Sequence, residues 1–499
     1  MQKELKQHLR LGSRWMNIPG RTRVAILVGV VVLTAYLLLL LLIPHYKGTP
    51  TTDGDEPHYL VITQSLIRDG DFAVKDEYKD KTYHAFYEGN IPLPHIVKGR
   101  NGQWVSTHPP FISIVVLPGF RLFGQRGAAF TMILMTVLAA MLTFALADRF
   151  VDRRIALLLT LFFFLSYPLL FYSRLVYPET AALMLLIVGA WSAWRLKETM
   201  KPRFAALNGL AAGLLLLFHP KFIALAAALL LVTWLVARPD LKLLWWWALP
   251  AAICVVGLLI LTGYVYGPNL IKGLSASGGS KVMGGYLGTN SVWGVFGLFI
   301  DRAWGLLIFA PLFALFPLGL SLQNTKLDWT RWWIFFPAAI VAHALVLGIF
   351  QSWNGGAAPV QRYLVPVAAL MVVCVALYFE RCRSQLARGF GLLLAIAQVV
   401  TTVWAFRFMV GTYGMAGTDN TFLAHFLGAN NPVTKFLLWV FPLYHPGGVK
   451  SVLLTVAWLA LLVVLIILAR RSFMKRGGWK ISGIVGIEPF LIDHRPSGR

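Results

Sequence analysis

Apolar residues in this chain come in long runs, with little alternation between apolar and polar positions. Runs of spanning length recur at about 24–43, 127–147, 155–173, 180–194, 204–219, 222–237, 244–264, 304–322, 332–350, 362–379, 389–408 and 450–469. Some 20 apolar residues suffice for a helix to cross a bilayer. The pattern therefore predicts an all-α integral membrane protein, a polytopic bundle of about twelve transmembrane helices.

The polar segments between the runs carry an orientation signal. With the N-terminus inside, the cytoplasmic connections read RFVDRR, WRLKETMKPR, ARPDLK, QNTKLDWTR, ERCRSQLAR and RRSFMKRGGWK, and each holds at least two Lys or Arg. That is the positive-inside pattern. The other side carries three long stretches, at 44–126, about 265–303 and about 409–449. Loops of that length are functional or disordered, and the aromatic and apolar content of the first predicts order, with interfacial helices. The first run lacks the small-residue cleavage site of a secretory signal and reads as the first span. The organisation expected is a basic cytoplasmic segment 1–23, a membrane module 24–380 that includes external loop 44–126, C-terminal spans 381–471 with external loop 409–449, and a cytoplasmic tail 472–499.

Composition agrees with the pattern. The chain is 58% hydrophobic and 13% charged, more apolar surface than a soluble domain can hide. The net charge of +24 is spread over small clusters between apolar runs, with no single basic stripe interleaved with aromatics, so nucleic acid is not an expected partner and membrane lipids are. The three cysteines, Cys254, Cys374 and Cys382, show neither a disulfide framework nor metal-ligand spacing.

Charge changes the picture at one place. Of 21 acidic residues, nine lie in the first external loop, and three of those, Asp53, Asp55 and Glu56, fall within four positions in TTDGDEPHYL. Beyond that loop the topology leaves only Glu179, Asp301 and Asp419 outside. The stretch DGDEPHYLVITQSLIRDG predicts a short amphipathic helix at the bilayer interface, with Asp55 as N-cap, Pro57 in the first turn and Gly70 at the end. Tyr59, Ile62 and Leu66 share one face. Capping explains one carboxylate and leaves its neighbours as unpaired acid beside lipid, which is costly. The other reading is chemical: one carboxylate deprotonates an acceptor hydroxyl as general base. A second orients the acceptor or helps hold a divalent cation, magnesium or manganese, at Asp55 and Glu56. Chemistry without a metal stays equally open.

At these residues the chain resembles the GT-C superfamily of membrane glycosyltransferases, in its family 39-like branch, related to protein O-mannosyltransferases and lipid A aminoarabinose transferases. The resemblance covers about 24–380. It rests on the GDE motif after the first span, the long first external loop, a second acidic residue in SRLVYPET and the tract SWNGGAAPVQRYLVP. It implies a polyprenyl-phosphate sugar donor and hexosyl or pentosyl transfer, with inversion, to a glycan, lipid or protein hydroxyl on the external face of a bacterial inner membrane. It also implies that Asp55 or Glu56 matches the catalytic acidic pair, with Asp55 preferred as base, and that Glu179 matches the second acidic site. The large C-terminal external domain of many relatives and the WWDYG-type motif are missing, which argues against asparagine-linked transfer.

Such chemistry needs cations for the departing phosphate. Lys221 in FHPKF and Arg362 in APVQRYL stand near external helix ends. The planar fork of arginine suits phosphate, and each residue could instead be a snorkelling interfacial side chain. Arg174 and Arg302 are weaker candidates, and Tyr363 offers a hydroxyl or a place in the aromatic belt. Glu179 also suits a helix N-terminus. His58, His108 and Tyr59 lie in position to touch substrate, and His58 or His108 could help hold a metal. Either histidine could also be a satisfied interfacial residue. His219 shares the surroundings of Lys221, and His343 reads as a hydrogen-bonding residue inside a span. The alternative to a transferase is a transporter or lipid flippase, which twelve spans would suit. That reading predicts polar residues near the midplane, whereas the acid here lies outside.

Overall fold

The structure, a computed structural model, describes residues 20–42, 54–87, 90–91, 95–237, 241–267, 291–322, 330–349, 353–356, 358, 362–407, 427–444 and 448–474. Asp53, Asp419, most of the 265–303 and 409–449 stretches and most of both termini lie outside the described residues.

The helices are α1 (Gly20–Leu42), α2 (Glu56–Arg68), α3 (Phe111–Ala147), α4 (Arg153–Phe164), α5 (Pro178–Thr199), α6 (Pro202–Phe218), α7 (Ile223–Ala237), α8 (Leu241–Tyr266), α9 (Ser291–Ile300), α10 (Thr330–Gly348), α11 (Ala368–Arg381), α12 (Gln385–Arg407), α13 (Pro432–Val440) and α14 (Val449–Met474). Six stretches are long and apolar enough to cross a bilayer: Gly20–Leu42, Phe111–Ala147, Lys242–Tyr266, Arg362–Arg381, Gln385–Phe406 and Val449–Arg471. Shorter apolar helices accompany them. The chain is a multi-pass integral membrane protein. The surface agrees: Leu41, Leu42, Trp245, Ile253, Leu392 and Leu453 are all exposed, which only a lipid environment makes favourable.

Helix α11 is the axis of the bundle, and every residue from Ala368 to Tyr378 is buried. Helix α5 packs against α3 and α6, α6 against α8, and α7 against α10. Several apolar runs are broken, and proline explains the breaks, since it removes a backbone donor and clashes with the preceding turn. The 155–173 run is α4 followed by a separate turn, Leu169–Tyr172, after Pro168. The 304–322 run is three short pieces, Leu306–Phe309, Pro311–Leu315 and Phe316–Ser321. The span that becomes α11 opens with a 3₁₀ turn, Arg362–Val367, that contains Pro366.

The external region departs from the expectation in three ways. Part of the first external loop, where interfacial helices are expected, is instead the first arm of α3, which breaks at Phe123 and Gly124. Gly124 sits at φ +58, and the two arms close so tightly that a Cβ on Gly127 would strike the Gly119 carbonyl. The fold is mainly helical, and the loop adds one two-stranded antiparallel hairpin, β1 (Ile96–Lys98) paired with β2 (Trp104–Ser106), where interfacial helices are expected. Its turn contains Asn101 and Gly102, both at positive φ, a pair that favours hairpins. Helix α2 has the bounds its caps predict, yet all nine residues from Pro57 to Ser65 are buried. It packs on α3 and, through Gln64 Nε2–H to the Thr82 carbonyl at 3.0 Å, on the following loop. An amphipathic interfacial helix would leave one face open.

Candidate active site

Gly54 adopts φ +48 and turns the chain into α2. The Asp55 carbonyl accepts the N–H groups of His58 and Tyr59 at 3.1 and 3.2 Å, so the backbone of Asp55 starts the helix. Its side chain makes no capping bond. It turns away and meets Arg362, Nη2 to Oδ2, at 2.6 Å. Capping is therefore not what its carboxylate does.

The motif is latched to the second acidic tract. Asp55 N–H donates to Tyr177 Oη at 3.2 Å, and the N–H of Val176 donates to Glu56 Oε1 at 3.0 Å. These bonds bring GDE against VYPE at the start of α5, across about 120 positions of sequence. Glu179, in the first turn of α5, has no exposed surface. Its Oε1 accepts from Arg362 Nε at 2.5 Å and Lys221 Nζ at 2.7 Å. The result is a chain of alternating charge, Asp55–Arg362–Glu179–Lys221. Aromatic faces hold the cations: Arg362 lies 4.8 Å from the Tyr177 ring centroid, and Lys221 Nζ 5.1 Å from that of Tyr363, both within cation–π range. Nearby histidines hold the backbone. His343 Nε2 meets the Tyr363 carbonyl at 2.9 Å, and His219 Nδ1 accepts from Lys221 N–H at 3.1 Å.

Exposure separates the roles. The side chain of Asp55 is 22% exposed, those of Arg362 and Lys221 are 6% and 8%, and that of Glu179 is 0%. Asp55 is the open end of the network and Glu179 its anchor. Burial pushes the Asp55 carboxyl up, but Arg362 and His108 together hold it well below the usual carboxylate range. Burial pushes Lys221 down to about 8, against the pull of Glu179. Asp55 is thus ionised at neutral pH.

The histidines gather on the other side of Asp55. His108 Nδ1 lies 3.8 Å from Asp55 Oδ2, and His108 Nε2 lies 3.0 Å from His95 Nδ1. His58 packs against both rings and pairs with Tyr78, Nδ1 to Oη, at 2.6 Å. Burial pushes His108 down to about 4. Of the predicted substrate residues, Arg362 and His108 lie next to Asp55, His58 stacks on His108, and Lys221 and Tyr363 stand beyond Arg362. Tyr59 is buried beneath His108, its ring edge-on at 5.1 Å. Arg302 is elsewhere: its backbone N–H donates to Pro442 and its Nη1 to the Leu438 carbonyl. Arg174 is buried next to the α5 start. The sequence reading missed His95. The hairpin brings it to His108, with Thr107 N–H donating to the His95 carbonyl at 2.7 Å, and the Asn-Gly turn between the two histidines was the available signal.

The Asp55 carboxylate holds a guanidinium and Glu56 accepts a backbone N–H. Among the described residues, two clusters place ligand atoms within 4.8 Å of one another: His58, His95 and His108, and Asp69, Asp76 and Glu77. The imidazole set is the chemistry of zinc-like ions, not of magnesium.

Fold and site define a multi-pass membrane protein with a buried, charge-compensated carboxylate–arginine–carboxylate–lysine network at one end of its bundle. No protein-family model and no curated protein sequence matches this chain. It is similar to ArnT from Cupriavidus metallidurans in the apo state, with a TM-score of 0.46 and 18% identity over 89% of this chain and 72% of that one. The same protein bound to undecaprenyl phosphate gives a TM-score of 0.47 and 16% identity, over 90% and 75%. The archaeal oligosaccharyltransferase AglB from Archaeoglobus fulgidus, in complex with an inhibitory peptide and a dolichol-phosphate, gives 0.45 and 12%, over 84% and 60%. Both proteins are members of the GT-C superfamily.

Proposed function

We propose that this chain is an integral-membrane glycosyltransferase, moving a sugar from a polyprenyl-phosphate donor to an acceptor hydroxyl at the external face of a bacterial inner membrane, with its N-terminus cytoplasmic. The observation that carries the reading is the ion-pair chain from Asp55 through Arg362 and Glu179 to Lys221. All four residues fall inside the 24–380 module, which we take as the catalytic unit.

A phosphate can replace Asp55 on Arg362 at little electrostatic cost, because one anion exchanges for another. Glu179 keeps Nε and Lys221 in place during the exchange. Released from the guanidinium, the Asp55 carboxylate accepts the proton of an acceptor hydroxyl. The acceptor oxygen bonds to the anomeric carbon as the bond from that carbon to the phosphate oxygen breaks, and inversion follows. The electron pair leaves on polyprenyl phosphate, whose charge Arg362 and Lys221 neutralise in a site with little water, where fixed charges act most strongly. The donor's sugar is a hexose or pentose, and its acceptor is a glycan, lipid or protein hydroxyl. No metal is required in this scheme.

The test is sugar transfer in proteoliposomes with polyprenyl-phosphate sugars and membrane extract as acceptor. Asp55→Asn is expected to fold and bind donor and to lose transfer by about 10²–10⁴-fold, the range for a general base. Undiminished transfer by Asp55→Asn overturns its role as base. A wild type that moves labelled lipid across the vesicle without consuming any donor favours the transporter or flippase reading instead.

A further inference from the structure

The first external loop contains a second acidic cluster away from the ion-pair chain. Asp69 ends α2, and Asp76 and Glu77 lie in a short helix, Lys75–Lys79. One carboxylate oxygen from each of the three lies within 4.8 Å of those of the other two. Glu77 has no exposed surface, and neither of its oxygens has a hydrogen-bond partner. Among the described residues no ion pair links any of the three to Lys or Arg. The neighbouring Asp71 shows the contrast: its Oδ1 accepts from Ala73 N–H at 2.9 Å and Ser65 Oγ–H at 3.2 Å. A buried carboxylate facing two other carboxylates, with no donor, is unfavourable on its own. A cation supplies what the fold leaves out.

We propose that Asp69, Asp76 and Glu77 bind a calcium ion. The ligands are all carboxylate oxygens, which select hard cations over zinc-like ones. Calcium sits about 2.4 Å from each ligand in flexible geometry, so ligand oxygens up to about 4.8 Å apart can share it. The exposed side of Asp69 and Asp76 leaves positions for water, while Glu77 closes the site from beneath. The ion ties the C-terminal end of α2 to the 75–79 helix. The next residue, Tyr78, holds His58 at 2.6 Å, and Val74 N–H donates to the Trp104 carbonyl of β2 at 2.9 Å. Calcium would thus brace the wall of the candidate active site from outside it. The proposal does not depend on the glycosyl-transfer reading.

The full-length protein in detergent, stripped with EGTA, is titrated with calcium chloride by calorimetry, and its Tm is followed in parallel. We expect one calcium per chain with a Kd on the order of 10⁻⁴–10⁻³ M or tighter, and a Tm that rises with calcium. Glu77→Gln should match or exceed the wild-type Tm in EGTA, because it removes a buried carboxyl that faces two other carboxylates, and should lose the calcium-induced rise. Asp76→Asn, at an exposed position that spares folding, should weaken binding by about tenfold or more. Asp80→Asn, an exposed acid beside the same short helix, should bind as wild type does. Absence of saturable calcium binding overturns the proposal, and so do wild-type affinities in both Glu77→Gln and Asp76→Asn. An equal heat and Tm shift from magnesium overturns the assignment to calcium.

Discussion

Glu179 and Asp301 are both carboxylates with no exposed surface, and the fold satisfies them in opposite ways. Glu179 sits between two cations, Arg362 and Lys221. Asp301 accepts three backbone N–H bonds, from Ala303 at 2.7 Å and Trp304 at 3.0 Å on Oδ1 and from Tyr444 at 2.9 Å on Oδ2. Neutral dipoles do not fully offset burial, and Asp301 is pushed up to about 6. At Asp55, in the Glu179 network, the same burial is outweighed by Arg362 and His108. A carboxylate bound by backbone donors fixes a turn and cannot exchange its partners. A buried carboxylate that anchors side-chain cations, as Glu179 does, can hold them in place while the open-end partner Asp55 gives way to another anion. That difference is why we place function at Glu179 and structure at Asp301.

The largest test of the contrast is Arg362→Met. It leaves Asp55 and Glu179 without their shared cation, and breaking a buried pair this way costs about 3–5 kcal/mol. Transfer should fall below detection and the Tm should drop. A folded, active Arg362→Met protein would remove the basis for treating the network as a site. Glu179→Gln is milder. It keeps the volume and gives up the negative charge between the two cations. The expected outcome is a folded protein whose transfer is reduced by about 10²–10³-fold, with donor binding impaired as well. Normal transfer would make Glu179 a helix-terminal acid only.

Lys221 sharpens the comparison through pH. Its folded value is lowered to about 8 from 10.5, so the folded chain gives up this proton before the unfolded chain does. Stability linked to Lys221 therefore rises between about pH 8 and 10.5, while its charge for a phosphate is lost in the same window. Transfer should decline as pH rises through about 8, and Lys221→Arg should move that decline upward. A pH profile indifferent to Lys221→Arg would mean that its charge takes no part in the reaction.

How much of this was legible in the sequence follows from range. The bounds of α2 were readable because Asp55, Pro57 and Gly70 are local signals, and the GDE acids were conspicuous because acid is rare here. Glu179, Lys221 and Arg362 could each be named from their places at helix ends. Their mutual pairing could not, because the partners are 42 and 183 positions apart and nothing local couples them. The burial of both faces of α2 was illegible for the same reason, since its cover comes from distant parts of the loop. The hairpin was a different kind of miss. Asn101-Gly102 between Ile96-Val97 and Val105 is a local turn signal, lost inside a loop read as helical.

Asp301→Asn gives the smallest effect and isolates the structural half of the comparison. The amide keeps one acceptor for Ala303 and Trp304, but turns an N–H₂ group toward the N–H of Tyr444, or the reverse if it flips. One donor is left facing another, at a cost of about 1–3 kcal/mol. Transfer per folded molecule should be unchanged, because Tyr444 and the 301–305 turn lie outside the ion-pair network. The pH slope adds a second signature. The folded pKa is raised from 3.8 to about 6, so the folded chain holds this proton longer than the unfolded one, and the associated stability is lost as pH rises from about 4 through 6. The asparagine variant lacks the titrating group and should lack that slope. Unfolding followed by Tm across pH 4–7 reads both effects. A variant that keeps the slope would assign it to another carboxyl, and one that stays folded but loses transfer would place Asp301 alongside Glu179 after all.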